Sequence, residues 1–206
     1  MEIQLKNISK RFGRQWIFRG LSQTIENKSS WAVCGRNGSG KSTLLKIISG
    51  YSTATQGSLS YLINGQPVSP EDHVDKIGYA APYQNLLEEL SLKEHLEFHF
   101  QFKSPTLPLQ EIIDRAGLSG AENKFIGDFS SGMKQRLKLA MALFSENALI
   151  FLDEPTANLD EQGANWYIQE MKKIKGQCTI IIASNLRYEY DFTDHQLTVT
   201  DFLRAN

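Results

Sequence analysis

The chain is 206 residues long, 41% of them hydrophobic and 22% charged, and its formal net charge is −1. These values are typical of a soluble globular domain, and the near-neutral charge gives no indication of binding to nucleic acid or to an anionic membrane. The longest apolar runs, 148–152 and 179–183, are too short to cross a bilayer, and residues 1–12 lack the apolar core of a signal peptide. We therefore expect one domain that stays in the cytoplasm.

Cysteine and histidine usage argues against disulfide or zinc chemistry. Cys34 and Cys178 each lie beside a predicted buried strand, so both are expected to be small core residues in a reducing compartment. The four histidines are scattered, and none lies at ligand spacing from a cysteine, so no zinc site is expected.

The first third of the chain predicts two hairpins, a strand and a helix. Alternation at 2–9 and the stretch 17–26 predict an antiparallel hairpin, and the apolar run at 30–35 predicts a buried strand that enters a glycine-rich turn. Four apolar residues within 41–50 predict a helix that ends at a glycine. Residues 57–68 predict a second hairpin with an Asn-Gly turn.

Residues 86–146 have a helical pattern. We expect helices at 86–102 and 109–118 and a third that Ser130 and Ser131 open. Four residues of the third helix form a stripe that is expected to face the core: Met133, Leu137, Met141 and Phe144. Four polar residues of the same helix are expected to lie outside: Lys134, Gln135, Arg136 and Lys138.

Two further buried strands, at 148–154 and 179–185, are separated by a helix at 161–176. Strands that alternate with helices predict an α/β fold built on a parallel sheet. The N-terminal hairpins add an antiparallel β subdomain, and the helical block at roughly 86–146 is expected to be an inserted lobe.

The stretch GRNGSGKST matches the P-loop pattern G-x-x-x-x-G-K-[ST], with a strand before it and a helix after it. Its glycines let the backbone curl so that N–H groups face a phosphate. Lys41 is expected to reach the β- and γ-phosphates, while the Ser42 hydroxyl ligates Mg²⁺. The predicted contacts to a nucleoside triphosphate are Gly35, Arg36, Asn37, Gly38, Ser39, Gly40, Lys41, Ser42 and Thr43.

Two acidic residues end the strand LIFLDE. Asp153 is expected to hold the Mg²⁺ shell, and Glu154 is placed to polarise a water molecule. Acidic residues at a strand end are often only turn formers, but the P-loop upstream favours the catalytic interpretation.

A second anion-binding pattern, FSSGMKQR at 129–136, places a Ser-Ser-Gly turn at the start of a polar helix. The P-loop, this stretch and LIFLDEPTANLD, in that order, resemble the ATP-binding cassette (ABC) ATPases over nearly the whole chain. The resemblance implies one cassette domain across 1–206 with a RecA-like P-loop NTPase core that takes ATP and Mg²⁺. It also implies a head-to-tail dimer, in which signature residues contact the nucleotide of the other subunit: Ser130, Ser131, Gly132 and Met133, which follow Phe129.

Further positions carry roles that the resemblance implies. Phe12 resembles the aromatic residue that stacks on adenine; Trp16 competes for this role, and either ring could instead belong to the core. Asn158 to Asp160 resemble the loop that crosses the dimer interface. Residues 77–98 resemble the lever that joins the core to the helical lobe and meets the membrane subunit.

The chain departs from the family pattern at two places. Pro82 stands where the family usually has a glutamine that contacts Mg²⁺ and the attacking water. Gln84 lies two residues further on and is the candidate for this metal contact, which it could make only with a local shift of the chain. Asn185 stands where the family has a histidine that contacts the γ-phosphate. A carboxamide can donate to phosphate but carries no charge, so we expect ATP binding and dimer closure with slow hydrolysis.

The leading functional hypothesis is the ATPase subunit of a membrane transporter, paired with a second cassette and bound to a separate transmembrane permease on the inner face of the membrane. The alternative is a soluble ABC switch in translation or DNA repair. Such proteins usually carry two cassettes, long coiled-coil insertions or basic surfaces, and none of these is visible in this sequence. A P-loop kinase of small metabolites conflicts with the signature stretch. No nucleic-acid partner is expected.

Overall fold

A computed structural model describes residues 1–69 and 74–202. In that part of the chain, the strands are β1 (Glu2–Phe12), β2 (Gln15–Ile25), β3 (Ser30–Cys34), β4 (Gln56–Ile63), β5 (Gln66–Val68), β6 (Ile77–Ala80), β7 (Leu149–Asp153), β8 (Thr179–Ala183) and β9 (His195–Thr198). The α-helices are α1 (Lys41–Ile48), α2 (Leu92–His99), α3 (Leu109–Arg115), α4 (Ser131–Leu143) and α5 (Glu161–Ile174).

The first sheet is antiparallel, with the strand order β2-β1-β4-β5. β1 and β2 form a long hairpin in which Ile3 pairs with Ile25 and Phe12 pairs with Gln15. The Asn-Gly turn between β4 and β5 has φ angles of 51° and 77°, as the positive values of a type I′ turn require. Both predicted hairpins are confirmed, and with them the antiparallel β subdomain.

The second sheet has the order β6-β7-β8-β3-β9, and all four pairings are parallel. Every residue of β7 and β8 is buried, because helices and the first sheet cover the two faces. The α/β fold is therefore confirmed. β6 and β9 were not predicted, since each has only four residues and the pattern of β6 contains a glycine.

The parallel direction of this sheet places several loops at one edge. β3 ends at Cys34, β7 at Asp153 and β8 at Ala183, and Asp153 is paired with Ala183. The turn after β3 leads into α1, which begins at Lys41. In open α/β sheets, ligands bind beyond the carboxyl ends of the strands, so this edge is where a site is expected.

Three apolar clusters form the core. The first is shared by the antiparallel sheet, α1 and one face of the parallel sheet. The second lies where α4 and α5 pack on the other face of the parallel sheet. The third joins α2, α3 and α4 to one another, so α4 packs against both the parallel sheet and the other helices.

The helix expected at 86–102 is shorter than predicted. α2 begins only at Leu92, because Ser91 and Glu94 form a capping box in front of it. The Ser91 hydroxyl accepts from the Glu94 N–H at 3.3 Å, and the Ser91 N–H donates to Glu94 Oε2 at 2.9 Å. Residues 86–90 precede this cap and Ser91 is part of it, so the prediction of helix was wrong for 86–91.

The exposure expected for the polar residues of α4 is wrong at two positions. Gln135 is 1% exposed and donates through Nε2 to the Pro155 carbonyl at 2.8 Å. Lys138 is 6% exposed and donates through Nζ to the Pro82 carbonyl at 2.6 Å. The reason is that α4 is buried on two sides. The predicted stripe itself is buried at three of its four positions, namely Leu137, Met141 and Phe144.

Both cysteines are free thiols, and Cys178 is buried while Cys34 is half-buried. Burial raises the pKa of the Cys178 thiol to about 11, so at neutral pH this residue packs as a small uncharged side chain. Among the described residues, no helix combines the length and the apolar character needed to cross a membrane.

Candidate active site

The glycine-rich loop between β3 and α1 has a backbone that larger residues would not permit. Gly40 has a φ of 100°, and a Cβ there would lie 2.4 Å from Cγ2 of Ile17. A Cβ on Gly35 would lie 2.6 Å from the Ser39 hydroxyl oxygen. The loop is therefore closed tightly, and α1 begins directly after it.

Lys41 is the first residue of α1, and its ammonium lies over this loop. The residue is 5% exposed, and Nζ donates to the Gly35 carbonyl at 2.9 Å and to the Arg36 carbonyl at 3.4 Å. The first N–H groups of a helix have no partner within the helix, and the positive end of the helix dipole lies there too. The loop, the ammonium and the helix terminus together form an anion-binding site.

A cavity of 210 Å³ opens beside the loop. Seven of its lining residues come from β2, the loop and the first turn of α1, and the eighth is the acidic residue that follows β7. The lining residues are Ile17, Asn37, Gly38, Gly40, Lys41, Ser42, Thr43 and Glu154. Phosphate-binding groups and a carboxylate thus face one cavity.

Asp153 is the last residue of β7 and is 1% exposed. Its Oδ2 accepts a hydrogen bond from the Tyr83 hydroxyl at 2.9 Å, whereas Oδ1 is buried without a hydrogen-bond partner among the described residues. A buried carboxylate oxygen without a partner is costly, and Mg²⁺ prefers oxygen ligands. Asp153, together with the Ser42 hydroxyl at the same edge of the sheet, fits a magnesium ion.

Glu154 follows in the left-handed backbone region, with a φ of 45°. This conformation is uncommon for a residue other than glycine. Two hydrogen bonds support it: the Glu154 N–H donates to the Ala183 carbonyl at 2.9 Å, and the Glu154 carbonyl accepts from the Ala157 N–H at 3.0 Å. Such a backbone persists where its surroundings hold it and is frequent at active sites.

Behind this turn lies Glu189, a buried carboxylate that the sequence analysis missed. Glu189 is 1% exposed, and its Oε1 accepts from the Thr156 N–H at 2.9 Å and from the Thr156 hydroxyl. The Tyr188 hydroxyl lies 2.9 Å from the Thr156 hydroxyl, and the Tyr167 hydroxyl donates to the Glu189 carbonyl at 2.9 Å. This network joins the turn after Glu154 to the segment after β8. A single glutamate in a polar stretch gives no sequence sign of burial.

Asn185 lies at the P-loop and not in the core. The residue is exposed, and its Nδ2 donates to Oδ1 of Asn37 at 3.0 Å. Asn37 lines the cavity, so the carboxamide of Asn185 is hydrogen-bonded to a residue of the cavity wall. Its contact with a phosphate stays a prediction.

The signature stretch forms the start of α4. Ser130 is the N-cap, and its hydroxyl accepts from the Met133 N–H at 3.2 Å. Ser130 and Ser131 are exposed, and a Cβ on Gly132 would lie 3.0 Å from the Asn158 carbonyl oxygen. The signature residues therefore lie beside the loop predicted to cross the dimer interface, and they do not line the cavity of their own chain.

Asp160 has a structural role in the described chain. It is the N-cap of α5, where Oδ1 accepts from the Gly163 N–H at 2.8 Å, and it also forms an ion pair of 3.5 Å with Arg136. Asn158, two residues earlier, has a φ of 65°. The turn between them is fixed, while its role at an interface stays a prediction.

The two candidate adenine platforms lie at the tip of the first hairpin. Phe12 is 57% exposed, with the Lys10 ammonium 5.0 Å from its ring centre. Trp16 is half-buried, with the guanidinium groups of Arg11 and Arg19 at 5.2 Å and 4.6 Å from its ring. Phe12 offers the freer ring, and neither ring lines the cavity, so adenine stacking stays a prediction.

Comparison with known proteins decides the family. A family model described as "ABC transporter" matches residues 18–157, which is more than half of the chain. The chain belongs to the ABC transporter family. This confirms the resemblance drawn from the P-loop, the signature stretch and the acidic strand end.

Relatives and solved structures agree with this assignment. The cassette is 32% identical over 198 residues to the lantibiotic transport ATP-binding protein SrtF of Streptococcus pyogenes, covering 92% of this chain and 82% of that protein. It is 29% identical over 208 residues to the Nod factor export ATP-binding protein I of Burkholderia lata, covering 97% and 67%. A solved ATP-binding subunit of an ABC transporter matches with a TM-score of 0.84 and 25% identity, over 96% of this chain and 85% of the other.

As an ABC cassette, the protein is a nucleotide-binding ATPase and the ATP-binding subunit of a transporter. The P-loop NTPase fold is confirmed as well, because the solved neighbours share it. The relatives favour this function over the alternatives of a soluble switch or a metabolite kinase.

The loop after β6 contains Pro82, Tyr83 and Gln84. The Pro82 carbonyl accepts from Lys138, and the Oε1 of Gln84 is buried without a hydrogen-bond partner in the part described. Gln84 as a metal contact stays a prediction. The Tyr83 hydroxyl donates to Asp153 Oδ2, although Tyr83 was not among the predicted site residues, because the expectation for this loop concerned only glutamine.

Proposed function

We propose that this cassette hydrolyses ATP with Mg²⁺ as a dimer, bound through a separate transmembrane permease to the cytoplasmic face of a membrane. The observation that carries the proposal is that Lys41, Ser42 and Glu154 line the same cavity. A cation, a metal-binding hydroxyl and a carboxylate are the groups that transfer of a phosphoryl group to water requires. The names of the relatives, which concern lantibiotic transport and Nod factor export, support a role in transport.

Nucleotide binding would begin at the P-loop. N–H groups of the loop and of the first turn of α1 would donate to phosphate oxygens. The Lys41 ammonium, which donates to the carbonyls of Gly35 and Arg36, would exchange them for the β- and γ-phosphates. Ser42 and Asp153 would hold Mg²⁺, which when bound neutralises charge on the phosphates.

Hydrolysis would depend on Glu154 and Asn185. The Glu154 carboxylate would polarise the attacking water. The hydrogen-bonded turn at Glu154 would hold this carboxylate in place. The Asn185 carboxamide would donate to the γ-phosphate. Because a neutral donor forms a weaker bond than a charged one, the proposed rate of hydrolysis is slow.

Dimer formation would complete the site. Ser130, Ser131, Gly132 and Met133 are at the start of a 13-residue helix, and both serines are exposed. A γ-phosphate bound to a second cassette would be stabilised there. Asn158 lies against Gly132 and would belong to the same interface. The cassette MJ0796, which has this fold, was solved as a dimer bound to ADP and Pi.

The permease would contact the lever segment, 77–98. Leu87 and Phe98 of this segment are each 44% exposed, and apolar side chains at the surface favour a protein partner. Localisation at the cytoplasmic face follows from this partner, since ATP is supplied there.

The test is a titration of the purified chain with a fluorescent ATP analogue, with and without Mg²⁺, followed by an assay of phosphate release in the presence of the co-purified membrane protein. Saturable binding and phosphate release that Mg²⁺ supports are expected. Absence of nucleotide binding by a folded sample would contradict the proposal.

A further inference from the structure

The loop after β6 brings a tyrosine into contact with Asp153, the acidic residue of the proposed metal site. The Tyr83 hydroxyl donates to Asp153 Oδ2 at 2.9 Å. The Tyr79 hydroxyl lies 2.8 Å from that of Tyr83, and the Lys46 ammonium lies 4.2 Å from the centre of the Tyr83 ring. Three side chains from β6, the following loop and α1 therefore meet at the end of β7.

The backbone places Tyr83 there for clear reasons. β6 pairs in parallel with β7, so that Ala80 lies beside Leu152 and the loop after β6 passes the end of β7. The Lys138 ammonium donates to the Pro82 carbonyl at 2.6 Å, which ties the same loop to α4. The position of Tyr83 is thus fixed by a strand pairing and by a hydrogen bond on its neighbour.

The contact leaves the two oxygens of Asp153 unequal. Oδ2 has the phenol as a partner, while Oδ1 is buried with no hydrogen-bond partner among the described residues. A carboxylate that ligates a metal is commonly oriented by a hydrogen bond to its other oxygen, and loss of such a bond weakens metal binding.

We propose that Tyr83 is a positioning residue for the metal site: its hydroxyl holds Oδ2 of Asp153 and presents Oδ1 to a divalent cation. The inference rests on the proposed Mg²⁺-dependent ATPase function and names a residue that this function did not use. Pro82 has no side-chain donor, and the hydroxyl of the next residue supplies the link between the lever segment and the metal-binding carboxylate.

The test measures Mn²⁺ binding, because the electron paramagnetic resonance signal of free Mn²⁺ gives its Kd without any turnover. The full chain is saturated with a non-hydrolysable ATP analogue and compared with Tyr83→Phe, which removes only the hydroxyl and keeps the ring beside Lys46. The Kd for Mn²⁺ is expected to rise about tenfold in the variant. Affinity for the nucleotide analogue in EDTA is expected to stay unchanged.

The matched control is Tyr79→Phe. Among the contacts described, the Tyr79 hydroxyl bonds to Tyr83 and not to Asp153, so its removal is expected to change the Kd for Mn²⁺ by at most about twofold. Both tyrosines are in the same cluster, and Tyr83 is 49% exposed, so both variants are expected to fold, with melting temperatures close to that of the wild type.

Each outcome decides the proposal. An unchanged or lower Kd for Tyr83→Phe would overturn it, as would an equal rise in both variants, since the cause would then be packing of the tyrosine pair. Failure of the wild-type chain to bind Mn²⁺ with the nucleotide analogue would instead contradict the proposed ATPase function.

Discussion

The Nδ2 atom of Asn185 lies 3.0 Å from Oδ1 of Asn37, so the residue that follows β8 contacts the phosphate-binding loop directly. Both side chains belong to loops at the carboxyl edge of the parallel sheet, where β3 and β8 are neighbours. Asn185 is exposed, and a substitution there is therefore expected to change chemistry more than stability.

Asn185→His is predicted to raise kcat more than it changes KM. An imidazolium donates a charge-assisted hydrogen bond, which stabilises the charge that develops on the phosphate in the transition state. Steady-state ATPase assays of both proteins measure this, and the melting temperature is expected to remain the same. Pro82→Gln combined with Asn185→His controls for a poorly placed water molecule.

Two results would count against this prediction for Asn185. One is a wild-type rate that already equals that of fast cassettes. The other is a lower melting temperature with unchanged kinetics, which would assign Asn185 a structural role.

Lys41→Ala is predicted to remove nearly all ATP binding, because the variant loses the ammonium that lies over the loop. In the variant, the Gly35 and Arg36 carbonyls can accept hydrogen bonds from water in place of Lys41, so the variant is expected to fold. Titration with a fluorescent ATP analogue measures the affinity. Affinity within about twofold of the wild type would contradict the assignment of the site.

Acid is predicted to destabilise the protein partly through His99. Burial, with a contribution from Lys103, lowers the pKa of His99 from 6.5 to about 4, and its Nε2 lies 3.1 Å from the Ser145 hydroxyl. Between these two pH values, the unfolded state binds a proton that the folded state does not. The stability that neutral His99 contributes is therefore present above pH 6.5 and is lost as the pH falls toward 4.

His99→Gln is expected to reduce this pH dependence. Urea unfolding at about pH 7 and about pH 5 gives the free energy of unfolding of each protein, and the variant is expected to lose less of it on acidification. His95, whose pKa burial also lowers, remains in the variant, so part of the dependence is retained. Equal losses in the two proteins would show that the pKa of His99 is the same in the folded and unfolded states.

Sequence patterns predicted the elements that depend on long apolar runs or on glycine. β3, β7 and β8 are apolar at almost every position, and the P-loop and Asn-Gly turn need backbone angles that glycine supplies. The patterns failed where a short local signal or tertiary packing determines whether a strand or helix forms and where it begins. β6 and β9 have four residues each, and the capping box of Ser91 and Glu94 starts α2 at Leu92, later than the expected start at residue 86.

The site residues also divide into those that a sequence pattern predicts and those that depend on tertiary contacts. Lys41 and Ser42 were predicted from a motif with fixed spacing, and Glu154 from its place at the end of an apolar strand; the structure brings all three to one cavity. Tyr83 and Glu189 could not be predicted, since their roles depend on neighbours 70 and 33 residues away in the chain. Gln135 and Lys138 were expected outside, and only the packing of α4 on both sides shows why they are buried.

In the composite site that we propose, the P-loop of one cassette and the signature residues of its partner contact the same ATP. Its most direct test is the mass of Glu154→Gln in the presence of Mg²⁺ and ATP. The amide keeps the shape of the side chain but does not polarise water as the carboxylate does, so the ATP-bound dimer should accumulate. Addition of Ser130→Arg to this variant is the matched control, because it obstructs the signature contact on the partner and leaves the P-loop intact.

Size-exclusion chromatography with light scattering gives the mass. The account predicts twice the 23.3 kDa of the chain for Glu154→Gln with Mg²⁺ and ATP, and the monomer mass for the Ser130→Arg double variant or without nucleotide. A Glu154→Gln sample that binds ATP yet stays monomeric, even beside its membrane partner, would contradict the composite site.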